Sequence, residues 1–118
     1  MSDMSKAITA PEIPIAVVGE SFLASCSFAE VLDSGETLAS VVSAVEKTTT
    51  NLTIASKAVN TAALTISGQS VAIGEAVQML ISGHLVANSP YTVTVTVTTS
   101  STPTQTRIRN FQFEVVAP

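Results

Sequence analysis

The sequence predicts an all-β fold, a sandwich of seven to eight short strands in one domain, and three observations predict it. Short apolar runs alternate with turn signals along residues 15–118, which is the pattern of a sheet protein. No segment shows an unambiguous helical period. The stretch YTVTVTVTTS, Tyr91–Ser100, alternates without a fault for eight residues, with Tyr91, Val93, Val95 and Val97 on one side and Thr92, Thr94, Thr96 and Thr98 on the other.

Taken in order, residues 1–14 read as an extended N-terminal arm, because Pro11 and Pro14 exclude a helix interior and push their predecessors to extended geometry. The domain then occupies 15–118. SFLASCSF, Ser21–Phe28, puts Phe22, Ala24, Cys26 and Phe28 on one face of a strand. DSGE, Asp33–Glu36, is a turn: Asp33 can bond nearby backbone, and Gly35 tolerates positive φ. TLASVVSAVEK, Thr37–Lys47, is ambiguous, since Leu38, Val41, Val42 and Val45 also match helical spacing; the valines and the β context favour a strand. NLTIA and ALTIS are short strands carrying Leu52, Ile54, Leu64 and Ile66. Gly68 and Gly74 bracket a loop or brief β-excursion. AVQMLISG aligns Val77, Met79 and Ile81, with Leu80 on the far face. After a turn at HLVANSP and the Thr/Val strand, a polar loop around Pro103 leads into RIRNFQFEVV.

That last strand has a parity problem. Strict alternation puts Arg107 and Arg109 on the face of Phe111, Phe113 and Val115, and turns Ile108 outward. Either a bulge near Asn110 sends the arginines out, or they lie on the phenylalanine face beyond the rim of the core. Tyr91 adds a clue to the type of sandwich. It begins the penultimate strand just after a proline turn, where immunoglobulin-like (Ig-like) domains place a tyrosine whose hydroxyl bonds backbone upstream. The expected architecture is a single Ig-like β-sandwich, and one cysteine leaves no internal disulfide to form.

Composition limits the function. The charged fraction is 12%, about half the usual ~25%, while 16 Thr and 15 Ser supply the polarity. A net charge of −4 and five scattered cations, Lys6, Lys47, Lys57, Arg107 and Arg109, argue against nucleic acid as a partner. Mean hydropathy is +0.46, and residues 76–106 carry no charge. Polar residues and prolines nevertheless interrupt every apolar run, so no membrane span is expected. MSDMSKAITAPEIP lacks the apolar stretch of a secretory leader, and a soluble protein made in a cytoplasm is the expectation.

Catalytic chemistry is hard to assemble. Cys26 sits on an apolar face, where a thiol is inert. His84 follows Gly83 in a turn and reads as a solvated loop residue. A Cys26–His84–Asp33 triad has no supporting motif. No metal-ligand spacing and no phosphate-cradling glycine loop occur. The expectation is no enzyme, no catalytic residues, no metal and no cofactor.

The threonines remain. They serve as good β-formers on an exposed face, or a neighbouring chain covers them, or they bind carbohydrate. Neutral hydroxyls lose less on desolvation than charges, and a charge-poor edge lacks the guards a free monomer needs. The candidate interaction face comprises Thr92, Thr94, Thr96 and Thr98 with Arg107 and Arg109.

The order GESFLASCSFAEVLDSGETLAS, QMLISG, SPYTVTVTVTTSS and RIRNFQFEV resembles small Ig-like virion proteins of tailed bacteriophages, of the fibre–tail adaptor or head–tail accessory type. The shared elements fall on Gly19–Ser21, Gly35–Leu38, Ser82–Gly83 and Tyr91–Ser100. The resemblance implies a non-enzymatic virion component, made in the bacterial host cytoplasm and present in multiple copies. Its implied partners are tail, portal, fibre or capsid proteins. A capsid decoration protein and a carbohydrate- or host-surface-binding module are the alternatives.

Overall fold

The apolar alternation becomes nine strands in the computed structural model, which describes residues 14–47, 49–66 and 68–118. They are β1 (Ile15–Val17), β2 (Phe22–Ser27), β3 (Leu38–Glu46), β4 (Thr53–Val59), β5 (Leu64–Ile66), β6 (Gln69–Val71), β7 (Ala76–Ser82), β8 (Tyr91–Thr99) and β9 (Thr106–Val116). Helix is confined to two short 3₁₀ turns, Ala29–Val31 and Val86–Asn88, among the described residues. No helix there is long and apolar enough to cross a membrane. Of the predicted arm, residues 1–13 lie outside the described residues.

One sheet has the order β1-β9-β8-β3, the other β2-β7-β4, and β5-β6 form a separate hairpin. Set in chain order against the immunoglobulin arrangement, β2-β7-β4 are strands B, E and D, and β3-β8-β9 are C, F and G. The β5-β6 hairpin is an insertion between D and E, and it raises the count above the seven to eight predicted. Antibody domains carry their second bridging cysteine two residues beyond the corner tyrosine. Val93 stands there, and Cys26 is a free buried thiol.

The core lies between the two sheets. Phe28, Val77, Met79, Ile81, Tyr91, Val93, Val95, Val97 and Phe113 are fully buried, each contributing roughly 1.5–3 kcal/mol of burial. Tyr91 stacks on Phe113, with centroids 5.2 Å apart and planes at 14°. The two residues are opposite each other on β8 and β9, so the last two strands lock at this point.

The ambiguous segment at 38–46 is a strand with two bulges. Its pairing with β8 shifts between Leu38 and Ser40 and again between Val41 and Ser43. Each shift inserts one residue and resets the side-chain phase. Leu38, Val41 and Ala44 therefore all face inward, opposite Thr99, Val97 and Val95, at a spacing that imitates a helix.

Asn60 organises the inserted hairpin. Its Oδ1 accepts from the N–H groups of Gly74, Glu75 and Ala76 at 3.0, 3.1 and 3.0 Å, and its Nδ2 donates to the carbonyls of Ala62 and Ala72 at 2.9 and 3.0 Å. The residue is buried, so loss of the amide strands backbone groups at about 1–3 kcal/mol each.

Candidate interaction surface

The outward positions of the β1-β9-β8-β3 sheet assemble the surface. Thr92, Thr94, Thr96 and Thr98 form its central stripe, half-buried between neighbours on both sides. Across β9 they stand opposite Gln112, Asn110, Ile108 and Thr106. Across β3, Thr94, Thr96 and Thr98 stand opposite Val45, Ser43 and Ser40. The side chains bond laterally: Thr94 Oγ1 donates to Asn110 Oδ1 at 2.9 Å, Gln112 Nε2 donates to Thr92 Oγ1 at 3.5 Å, and Ser40 Oγ lies 2.6 Å from Thr98 Oγ1. Three of the four hydroxyls thus have a partner within the sheet.

Apolar side chains flank the stripe. Ile108 is 62% exposed, Val45 58%, Ile15 66% and Val116 42%. Two charged residues lie on this face among the described residues: Glu114, opposite Ile15, and the exposed Lys47 just past β3, whose N–H donates to Thr92 O at 2.9 Å. A covering surface would therefore desolvate hydroxyls that are mostly already bonded, apolar groups that gain from burial and two ions at the margins, Glu114 and Lys47.

The arginines are elsewhere. Val97 faces Arg107 and Val95 faces Arg109 in a register that runs unbroken from Thr106 to Phe113, so no bulge forms near Asn110. Both arginines share the inward face of the phenylalanines and reach past the rim of the core. The grouping of Arg107 and Arg109 with the threonines in one interaction face is thereby corrected. The loop between β2 and β3 makes the inward placement tolerable by supplying carboxylates. Arg109 Nη1 lies 3.3 Å from Glu30 Oε1, and Arg107 Nη2 lies 4.0 Å from Glu36 Oε1.

Glu36 is held tightly. Its Oε1 accepts the Asp33 N–H at 3.0 Å while its own N–H donates to Asp33 O at 2.9 Å. The cap of this turn is therefore the Glu36 carboxylate, with Gly35 at φ +79°. The Asp33 N–H holds the Glu36 carboxyl below its ordinary value, helped by the Ser101 and Thr99 hydroxyls and by Arg107, against the opposing effect of burial.

The remaining chemistry-bearing side chains do not converge. Cys26 is buried, and burial pushes its thiol up to about 11, against a smaller lowering by Arg109. His84 is not a solvated loop residue; it is 1% exposed. Phe22 and Phe113 close edge-on over its ring, at centroid distances of 5.7 and 5.9 Å. Its Nε2 donates to Val17 O at 2.7 Å. This commits the proton to Nε2 and leaves Nδ1 without a partner among the described residues. Gly83 lets the chain pass this close to its neighbour: at φ +84°, a Cβ there would meet Asn51 O at 2.6 Å. Phe22 at one end of β2 packs on His84, whereas Asp33 follows the other end, so the Cys26–His84–Asp33 set is not assembled. No group of three or more metal-ligating side chains occurs among the described residues.

Tyr91 makes the bond of a tyrosine corner: the Leu85 N–H donates to Tyr91 Oη at 2.9 Å. Glu30, Glu36, His84 and Asn60 are the structurally committed polar residues that sequence reasoning did not identify. No family model, curated protein or solved structure matches the chain.

Proposed function

We propose that the chain is a non-enzymatic structural subunit of a tailed-phage virion, an adaptor that joins tail or portal components to fibres or neighbouring subunits. The observation that carries the reading is the outer face of the β1-β9-β8-β3 sheet. Three of its four threonines are paired laterally, its exposed aliphatics alternate with neutral polar groups, and its charges are confined to Glu114 and Lys47 at the margins. Such a face loses little on desolvation and gains from burial under another protein. Strands of 3, 11, 9 and 9 residues, at ~3.3 Å per residue and ~4.8 Å spacing, present roughly 500 Å². Doubled over two partners, that is about 1,000 Å², the lower bound for a specific interface. The virion setting comes from the sequence resemblance.

The carbohydrate alternative lacks a platform: Phe22, Phe28, Tyr91, Phe111 and Phe113 are all buried or half-buried, leaving no aromatic face for a sugar to stack on. A capsid decoration role uses the same surface and differs only in location.

The test is incorporation. Particles assembled with a Thr94→Lys, Thr96→Lys chain are sedimented beside wild-type particles, and bound chain is quantified. The variant should fold, since both side chains point outward, yet be lost from the particles. Equal incorporation of a folded variant overturns the reading, and labelling of head or tail in electron micrographs separates adaptor from decoration protein.

A further inference from the structure

We infer that the free edge of β9 is a homotypic pairing edge, which joins antiparallel to the same edge of a second copy about a two-fold axis at Arg109. Two four-stranded sheets thereby become one sheet of eight. The inference rests on the proposed reading only in taking the chain to assemble; it adds the edge, the register and the partner.

Among the described residues the edge is open. β8 covers one side of β9 from Thr106 to Phe113. β1 covers the other side only from Glu114 to Val116. Glu114 N–H donates to Pro14 O at 2.9 Å, and Val18 N–H donates to Val116 O at 3.1 Å. The even-numbered residues of β9 therefore direct their backbone groups to the β1 side. Thr106, Ile108, Asn110 and Gln112 do so where no described residue pairs with them.

This edge lacks the usual guards. The free edge of β3 is roughened by two bulges. The free edge of β4 carries a bulge with Ser56 at φ 55° beside Lys57. The open part of β9 is regular, without proline, and its outward side chains are all neutral. It is also self-complementary. With the two-fold axis at Arg109, Thr106 faces Gln112 of the second copy, and Ile108 faces its Asn110. Every open N–H and C=O of the four residues then finds a partner. The pairing stops at Gln112, short of Pro14, so β1 is not displaced. The facing Arg109 side chains repel, and Glu30, 3.3 Å from each Arg109 Nη1, supplies the countercharge. The outer faces of the two copies become continuous.

Amide hydrogen exchange followed by NMR over a concentration series, with sedimentation on the same samples, tests this. The Thr106, Ile108, Asn110 and Gln112 amides should gain roughly tenfold or more protection as a dimer forms. The Arg107, Arg109, Phe111 and Phe113 amides, already turned to β8, should not change. Ile108→Lys, at an exposed side chain, should weaken the dimer by about tenfold or more. A monomer at every concentration overturns the inference. So does a dimer that leaves the four amides unprotected, or one that protects the β2 amides instead. Protection independent of concentration means the chain's own residues fill the edge, and equally overturns it. Failure here leaves the particle-incorporation result untouched, so the two readings fail separately.

Discussion

β3 and β9 flank the same central strand and solve the same problem in opposite ways. β9 keeps strict alternation, so Arg107, Arg109, Phe111, Phe113 and Val115 all face the second sheet. That regularity gives β9 the largest buried aromatic contribution in the sheet, but it drags two arginines inward with the phenylalanines. The loop between β2 and β3 answers with Glu30 and Glu36. β3 breaks its alternation twice, exposes Val42 and Val45 and contributes smaller inward groups, Leu38, Val41 and Ala44. The difference teaches that regularity and edge protection trade against each other. The regular strand anchors the core and leaves a pairing edge, while the bulged strand packs less and guards its own.

The sharpest way to break the comparison is to hollow out both flanks. Phe113→Ala removes a fully buried ring that stacks on Tyr91 and packs on Phe22, His84 and Phe111. It should cost about 3–5 kcal/mol in denaturant unfolding. Val41→Ala, at a half-buried position on β3, should cost about 1 kcal/mol. Equal losses at the two sites would show that β3 carries as much of the core as β9.

What the sequence revealed follows the same division. Regular strands were legible: the faces of β2, β7 and β8 follow from alternation alone, including the outward Leu80 and the threonine stripe. β3 was ambiguous because two inserted residues convert a period of two into an apparent period of three. The arginines were undecidable because the groups that make their inward placement tolerable are distant in sequence; Glu30 and Arg109 are 79 positions apart. His84 looked solvated because a turn position predicts exposure, while Phe22 and Phe113, which cover it, come from two other strands. Asn60 gave no signal, since a lone asparagine between strands is ordinary and all its partners come from residues 62–76.

Acid sharpens the comparison at the arginine end of β9. The Glu36 carboxyl titrates lower in the folded chain than its ordinary value of 4.5, chiefly through the Asp33 N–H. A depressed folded value stabilises the native state above the unfolded value, and that stabilisation is lost as pH falls through the folded one. Wild type should therefore lose stability on acidification below pH 4.5, while Glu36→Gln, which cannot titrate there, loses less over the same range. Parallel stability–pH curves for the two proteins would show that Glu36 does not carry this acid sensitivity.

The smallest stability change, and the most specific, comes from making β3 resemble β9. Val41 pairs with Val97 and Ser43 with Thr96, neighbours on β8, so Val42 is the residue without a counterpart. Its side chain is exposed. Deleting Val42 joins Val41 directly to Ser43, keeps Val41 inward and Ser43 outward, and removes one bulge without moving the register on either side. Stability should stay within about 1 kcal/mol of wild type. The edge of β3, however, becomes smoother and loses part of its protection against pairing. The deletion should therefore associate more strongly than wild type in sedimentation, with new amide protection confined to the outer edge of β3. A folded deletion that associates no more than wild type would mean that the bulge serves packing and not protection of the edge.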